Sequence, residues 1–298
     1  MPKNNFTLRE LKSFSKSFDK KFLTYISNIK TPEKKIKNAI EYFIKTGGKR
    51  IRPFLIYKFG NFLNVDKKIL LEIGISTECI HLHSLVHDDL PAMDDDDYRR
   101  GKLTVHKKFD EAIAVLTGDM FNVLGYDVIS NSKLISVTAK IKLIQNLVFA
   151  NGLNGLIGGQ SLDLYMPNKI TLSQISKMHS LKTGALFNHC FGSVVSLKKL
   201  NTKKIRNVHI LSNSIGLIFQ LTDDMLDRWG DEKKVGKKIH KDQLKPNMAY
   251  QLSYDQCLLE LDGLKKQIDR SLDKIFTQDI SGKEYFNSFV NYLVNRAI

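Results

Sequence analysis

Two groups of aspartates carry most of the chemistry this sequence can perform. In residues 81–100, HLHSLVHDDLPAMDDDDYRR, Asp88 and Asp89 close an apolar helical run and Pro91 breaks it; Asp94, Asp95, Asp96 and Asp97 follow, then Arg99 and Arg100. The second group, Asp223, Asp224 and Asp227, also ends an apolar run and is also followed by cations. A single charge run is most often a solvated loop. Two of them, each at a helix mouth, suggest one shared metal cluster. Gln220, Asp223 and Asp227 stand at i, i+3 and i+7 on one side of a helix, where like charges repel unless a cation lies between them. Oxygen-rich sets suit Mg²⁺, which is commonly shared between carboxylates and substrate phosphates. The guanidinium forks of Arg99 and Arg100 match phosphate oxygens, although they could also simply pair with the neighbouring acids.

Other stretches add anion-binding groups. Residues 47–53 read GGKRIRP, three cations between a glycine pair suited to a helix C-cap and the start of a new helix. The P-loop spacing is absent and no strand precedes it, so a phosphate cradle and a structural basic turn both fit. Residues 151–164, NGLNGLIGGQSLDL, hold four glycines in a helix-compatible stretch, which calls for a kink or a close helix approach. Residues 181–184, LKTG, interrupt a helix and present a cation and a hydroxyl. His81, His83 and His87 carry no ligand signal one by one.

The elements that must position these groups are helices. Leu8, Leu11, Phe14, Phe18, Phe22 and Tyr25 define an amphipathic helix over residues 7–29. Thr31 and Pro32 supply an N-cap and a first-turn proline for a helix through Ile36, Ile40, Phe43 and Ile44. From Ile69, the residues Ile73, Thr77, Ile80, Ser84 and Asp88 share one helix face, so a ligand held at Asp88 would lay its tail towards Ser84 and His83. Helical texture continues over residues 112–149 and again over residues 210–229. Few segments alternate apolar and polar residues, only six prolines occur, and 42% hydrophobic residues among 298 suffice for a large core, so the expectation is all-α. The net charge of +15 would suit nucleic acid, an anionic membrane or a phosphorylated substrate, but the lysines are scattered and not interleaved with aromatics. Cys79, Cys190 and Cys257 are isolated, which indicates neither disulfides nor zinc and fits a reducing cytoplasm. No apolar run approaches the roughly 18–20 residues of a membrane span, so a soluble protein without stable membrane insertion is expected.

Taken together, GGKRIRP at 47–53, HDDLPAMDDDDYRRG at 87–101, GGQSLDL at 158–164, KTGAL at 182–186 and FQLTDDMLD at 219–227 resemble the trans-isoprenyl diphosphate synthases, in particular bacterial short-chain farnesyl diphosphate synthases. The similarity runs over residues 47–237, with a further match at 293–296. The resemblance implies one polyprenyl synthase domain over residues 1–298, an isoprenoid synthase fold with helices around a deep central cavity, and a homodimer. It implies condensation of isopentenyl diphosphate with dimethylallyl or geranyl diphosphate, giving farnesyl diphosphate. Asp88, Asp89, Asp94, Asp223, Asp224 and Asp227 would bind Mg²⁺, three ions in all. Lys49, Arg52, His81 and Arg100 would hold isopentenyl diphosphate; Arg99, Lys182 and Lys237 would hold the allylic diphosphate. Lys182, Thr183 and Gln220 would sit at the reacting centre.

Two departures from the family pattern stand out. The positions that limit chain growth, five and four before the first aspartate, are His83 and Ser84, where a tyrosine more often occupies the first. A ring there favours stopping near C15. After Lys237, where the family commonly has an aspartate and, five residues later, a lysine before a threonine and an aromatic, this chain has Asp242, then Asn247, Ala249 and Tyr250, with Lys245 in a shifted register. The rival readings are a geranylgeranyl or geranyl diphosphate synthase, a non-catalytic regulatory relative, and a basic nucleic-acid-binding protein. The last two leave the mutually repelling aspartates unexplained.

Overall fold

The structure, a computed structural model, describes residues 5–166, 170–230 and 247–296. Among these residues it is all-helical except for a two-stranded hairpin, as expected. It divides into two compact units, residues 8–145 and residues 146–298 with 1–7.

The first unit runs α1 (Leu8–Ser27), α2 (Lys34–Lys45), α3 (Ile51–Phe62), α4 (Lys67–Asp88), β1 (Tyr98–Arg99), β2 (Lys102–Leu103), α5 (Val105–Lys108) and α6 (Glu111–Ser130). Every residue from Ile73 to Ile80 on α4 is buried, which is the pattern of a helix enclosed on all sides. Its start is fixed by Asp66, whose carboxylate accepts from the N–H groups of Lys68 and Ile69. Ser76 donates to the Gly125 carbonyl of α6 at 2.5 Å. Phe22, Phe43, Phe54, Phe59 and Phe121 are fully buried, and each contributes on the order of 2–3 kcal/mol of transfer free energy.

Two sequence expectations are corrected here. The cap of α2 is Glu33, which accepts from the N–H groups of Lys35 and Ile36, while the Thr31 hydroxyl accepts from Glu33 N–H. The texture over residues 112–149 is two helices, because Ser132 Oγ accepts from Leu134 and Ile135 N–H and donates to Glu72, ending one helix before α7 (Val137–Asn151) begins. Among the described residues two helices, α4 and α6, are long and apolar enough by composition to cross a membrane, as core helices also are; 67% of the α4 window and 44% of the α6 window is buried in the protein.

The second unit continues through α8 (Leu156–Tyr165), α9 (Leu172–His179), a π-turn (Ser180–Gly184), α10 (Ala185–Ser196), α11 (Thr202–Trp229), α12 (Met248–Gln251), α13 (Tyr254–Ile275) and α14 (Ile280–Asn295). Capping boxes at Thr171 with Gln174 and at Ser253 with Gln256 start α9 and α13. Phe187, Phe191, Phe286 and Phe289 form its buried aromatic core.

Candidate active site

In the first unit, the cations of residues 47–53 are sorted by backbone geometry. Gly47 and Gly48 take φ of +80° and +149° after α2, and Arg50 takes the left-handed φ of +49°. That twist turns the Arg50 side chain inward, where Nε donates to Asp19 at 2.7 Å, Nη1 to Glu78 at 2.7 Å and Nη2 to the Ile44 carbonyl at 3.0 Å. Arg50 is therefore a structural ion-pair centre rather than a phosphate ligand, correcting one of the three cations considered for that role. Lys49 stays exposed and Arg52 half-buried at the start of α3.

The first aspartate group is folded back by its own loop. Asp94 N–H donates to the Asp88 carbonyl at 2.9 Å and Asp95 N–H to the Leu90 carbonyl at 3.1 Å, with Asp95 at φ +50°. Arg100 and Gly101, at φ +54° and +72°, form the two-residue turn of the β1–β2 hairpin, a conformation that matches the strand twist. The hairpin places the two arginines differently. Arg99 Nε donates to Asp89 Oδ1 at 2.7 Å. Arg100 reaches back to donate to the Gly47 carbonyl, and a Cβ on Gly48 would lie 2.8 Å from its Nη1. The glycine pair is thus the bed of the Arg100 guanidinium. Burial, and after it Arg50, lowers Arg100 to about 10, so it remains a cation at neutral pH. Desolvation, then Arg52 and Arg100, push His81 well down, so its imidazole is neutral. Of the four residues assigned together from sequence, Arg52, His81 and Arg100 are brought into one region, while Lys49 is exposed in the adjoining turn.

Asp89 is buried, and burial pushes its carboxyl up to about 6 despite Arg99. Its second oxygen, Oδ2, is buried without a hydrogen-bond partner. An orphaned carboxylate oxygen next to Asp88 and the folded-back Asp94 fits a hard divalent cation. Among the described residues, no group of three or more His, Cys, Asp and Glu side chains is arranged to hold a metal by itself. Mg²⁺ takes much of its shell from water and phosphate, so fewer carboxylates suffice. His83 is buried, with Nδ1 3.0 Å from the Gly118 carbonyl and its ring 4.7 Å from that of His87; Ser84 donates to the His81 carbonyl at 2.9 Å.

In the second unit, the π-turn holds Lys182 and Thr183. A Cβ on Gly159 would lie 2.1 Å from Lys182 N, so only glycine lets α8 pack this closely on the turn. This is the close approach expected of the glycine-rich stretch, and π-turns recur at functional sites. Lys182 Nζ donates to Asp163 at 2.5 Å. Thr183 Oγ1 donates to Gln220 Oε1 at 2.8 Å, and Gln220 Nε2 donates to Asp224 Oδ1 at 2.9 Å. Asp224 Oδ2 accepts from Met248 N–H at 2.8 Å. Both Asp224 oxygens therefore already hold protein donors, so any metal would use their remaining lone pairs. Asp223 is half-exposed, with Arg296 Nη2 3.2 Å from its Oδ1, and Asp227 is buried.

Lys237, Asp242 and Lys245 lie outside the described residues. Asn247 accepts from Ala249 N–H at 2.8 Å and caps α12. The sequence reasoning missed the Asp163 partner of Lys182 and the Glu78 and Asp19 partners of Arg50. It also gave no role to Arg296, whose guanidinium stacks 4.7 Å over Phe219 and meets Asp223. The match at 293–296 was the available signal for it.

Comparison with known proteins identifies the family. The family model for polyprenyl synthetase matches residues 33–280. The farnesyl diphosphate synthase of Micrococcus luteus is 36% identical, over 89% of this chain and 90% of its own length. Among solved structures, a geranyltransferase from Legionella pneumophila superposes with TM-score 0.84 at 32% identity, covering 97% of each chain. A Helicobacter pylori geranyltransferase, complexed with magnesium and isoprenyl diphosphate, superposes with TM-score 0.80 at 30% identity over 95% of this chain and 97% of its own. With all five motifs present and the match extending through both units, the chain belongs to the polyprenyl synthetase family.

Proposed function

We propose that this chain is a Mg²⁺-dependent trans-prenyltransferase that condenses isopentenyl diphosphate with dimethylallyl and then geranyl diphosphate, releasing farnesyl diphosphate. The observation that carries the reading is the gathering of Arg52, Arg99 and Arg100 around a neutral His81, with Arg99 also paired to Asp89 and Asp94 folded back on Asp88. This is an anion site next to a cation site, which a diphosphate and its metal require together. The relatives supply the reaction class.

In this reading Lys49, Arg52, His81 and Arg100 hold isopentenyl diphosphate, while Arg99, Lys182 and Lys237 hold the allylic diphosphate. Asp88, Asp89, Asp94, Asp223, Asp224 and Asp227 hold Mg²⁺, three ions by the family resemblance. Bound Mg²⁺ would neutralise the diphosphate and make it a competent leaving group. Arg99 and Lys182 stabilise the negative charge that develops as the C–O bond breaks. Thr183 and Gln220, held by their mutual hydrogen bond, would offer oxygen dipoles to the electron-deficient carbon. The isopentenyl alkene attacks that carbon, a C–C bond forms, and the proton then lost passes to the departing pyrophosphate. No protein nucleophile is needed.

His83, fixed by the Gly118 carbonyl and by His87, provides the rigid ring that limits chain growth near C15, with Ser84 beside it. The family match spans both units, which supports their acting as one domain over residues 1–298. Val115, Leu116 and Val123 on α6, with Leu134, Val137 and Ile141, are exposed, an apolar surface that supports a homodimer. The three buried free cysteines suit a reducing cytoplasm. Incubating the protein with dimethylallyl and isopentenyl diphosphates and Mg²⁺, then sizing the dephosphorylated alcohols, should show mainly C15. Mainly C20 would favour the geranylgeranyl alternative, and no condensation would overturn the enzyme reading.

A further inference from the structure

The second unit contains a cavity of about 650 Å³ bordered by α7, the π-turn, α10 and α11. Along the LKTG turn and α10, Leu181, Ala185, Asn188, Gly192 and Val195 line it, recurring at three- and four-residue steps, whereas Thr183 and Phe187 point elsewhere, to Gln220 and Phe219. The run from Leu181 to Val195 extends roughly 21 Å at the helical rise, so the space is elongated. Its volume is in the range of small-molecule sites.

Three features describe what would fill it. In a chain with 26% charged residues, no Asp, Glu, Lys or Arg side chain lines this cavity. A charged ligand would find no counter-ion there, so the occupant is uncharged. His189 lines the cavity at 5% exposure, with neither ring nitrogen hydrogen-bonded. Burial pushes this imidazole down to about 4, leaving it neutral, with one donor and one acceptor. A hydroxyl group, which gives and takes one hydrogen bond, complements that pair. Gly192 is a mid-helix glycine whose added Cβ would meet nothing within 4 Å, so open space lies over it. The remaining wall is mixed: Phe149, Ala150, Ile205 and Val208 give it apolar area, several polar side chains are already bonded to one another, Asn146 to Ser196 and Ser212 to Asn188, and His209 is a second imidazole on the wall.

We propose that this cavity is a second binding site, for an uncharged, elongated apolar molecule carrying one hydroxyl, the class of a prenyl or long-chain alcohol, with the hydroxyl bonded to His189. Ser180 and Leu181 border the cavity and lead directly into Lys182 and Thr183, so an occupant bears on the turn that holds the catalytic residues. The site stands on its own geometry and does not depend on the reaction assigned above.

The test is calorimetric titration of the full-length protein with farnesol, with the corresponding hydrocarbon farnesene as the comparison. Wild type should bind farnesol saturably, one per chain, and more tightly than farnesene. Gly192→Leu fills the space from a helix position and should weaken farnesol binding at least ~10-fold, a change easily read by this method, with basal turnover unchanged. His189→Phe should bind the alcohol and the hydrocarbon alike. Absence of farnesol binding in wild type, or binding that Gly192→Leu leaves intact, would overturn the site. A changed sedimentation profile in Gly192→Leu would also overturn it, identifying the groove as a surface covered by a second copy.

Discussion

Replacing Arg50 with methionine removes the centre of a buried charge network, and the structure sets the size of the effect. The Arg50 and Glu78 side chains are 0% and 2% exposed, and the guanidinium makes three hydrogen bonds, to Asp19, Glu78 and the Ile44 carbonyl. Without it Glu78 is left as a buried carboxylate lacking its counter-charge, a loss of about 3–5 kcal/mol. Methionine fills a similar volume but gains nothing from the left-handed backbone, whose cost of roughly 1–2 kcal/mol falls on any residue with a Cβ. The net loss should be about 3–5 kcal/mol, and the melting temperature should fall by on the order of 10 °C. Urea unfolding at neutral pH, followed by circular dichroism, measures it. Adding Glu78→Met to Arg50→Met should recover much of the loss, since an apolar pair of similar volume often matches a buried ion pair. A loss below ~1 kcal/mol in the single variant, or a double variant no more stable than the single, would refute the assignment of Arg50 as a structural centre.

Three further outcomes follow from the same geometry. Gly159→Val brings side-chain atoms against Lys182 N, where even a Cβ would lie at 2.1 Å, so turnover should fall at least ~10-fold; unchanged kinetics would show that α8 does not position the π-turn. Thr183→Val removes the donor to Gln220 at nearly constant volume and should lower kcat ~10-fold with little change in KM, whereas a KM effect alone would assign Thr183 to substrate binding. His189 is held near 4 when folded against 6.5 when unfolded, so as pH falls from 6.5 to 4 the unfolded chain takes up a proton that the folded chain refuses. Stability should drop by about 3 kcal/mol across that window on account of this residue, and His189→Phe should flatten that part of the urea-derived pH profile; an unflattened profile would show that the ring is not held neutral.

Much of this was legible before the fold was known, for reasons that particular residues make plain. The repeating phenylalanines of α1 and the unbroken apolar content of α4 announce helices because burial demands a 3.6-residue period. The aspartate groups were legible because clustered like charges at helix ends are costly without a cation. Features decided by tertiary contact were hidden. Nothing local to Arg50 shows that a left-handed backbone will direct it towards Asp19 and Glu78 while Lys49 remains outside. The break between α6 and α7 depends on Ser132 bonding Glu72, a residue 60 positions away. The cap at Glu33 competes with an equally plausible one at Thr31, and the outcome rests on which carboxylate or hydroxyl reaches the free N–H groups. Asp224 reads as one more ligand in a motif, yet its oxygens also tie α11 to α12 and to Gln220.

In the proposed reaction the two aspartate groups, far apart in sequence, serve one metal-bound diphosphate. This is tested most directly by titrating an unreactive allylic thiolodiphosphate into wild type, Asp88→Ala and Asp223→Ala, with Mg²⁺ and again with a chelator. Wild type should bind tightly only with Mg²⁺, and each variant should lose ~100-fold while its melting curve stays that of a folded protein. Full Mg²⁺-dependent affinity in either variant would contradict it.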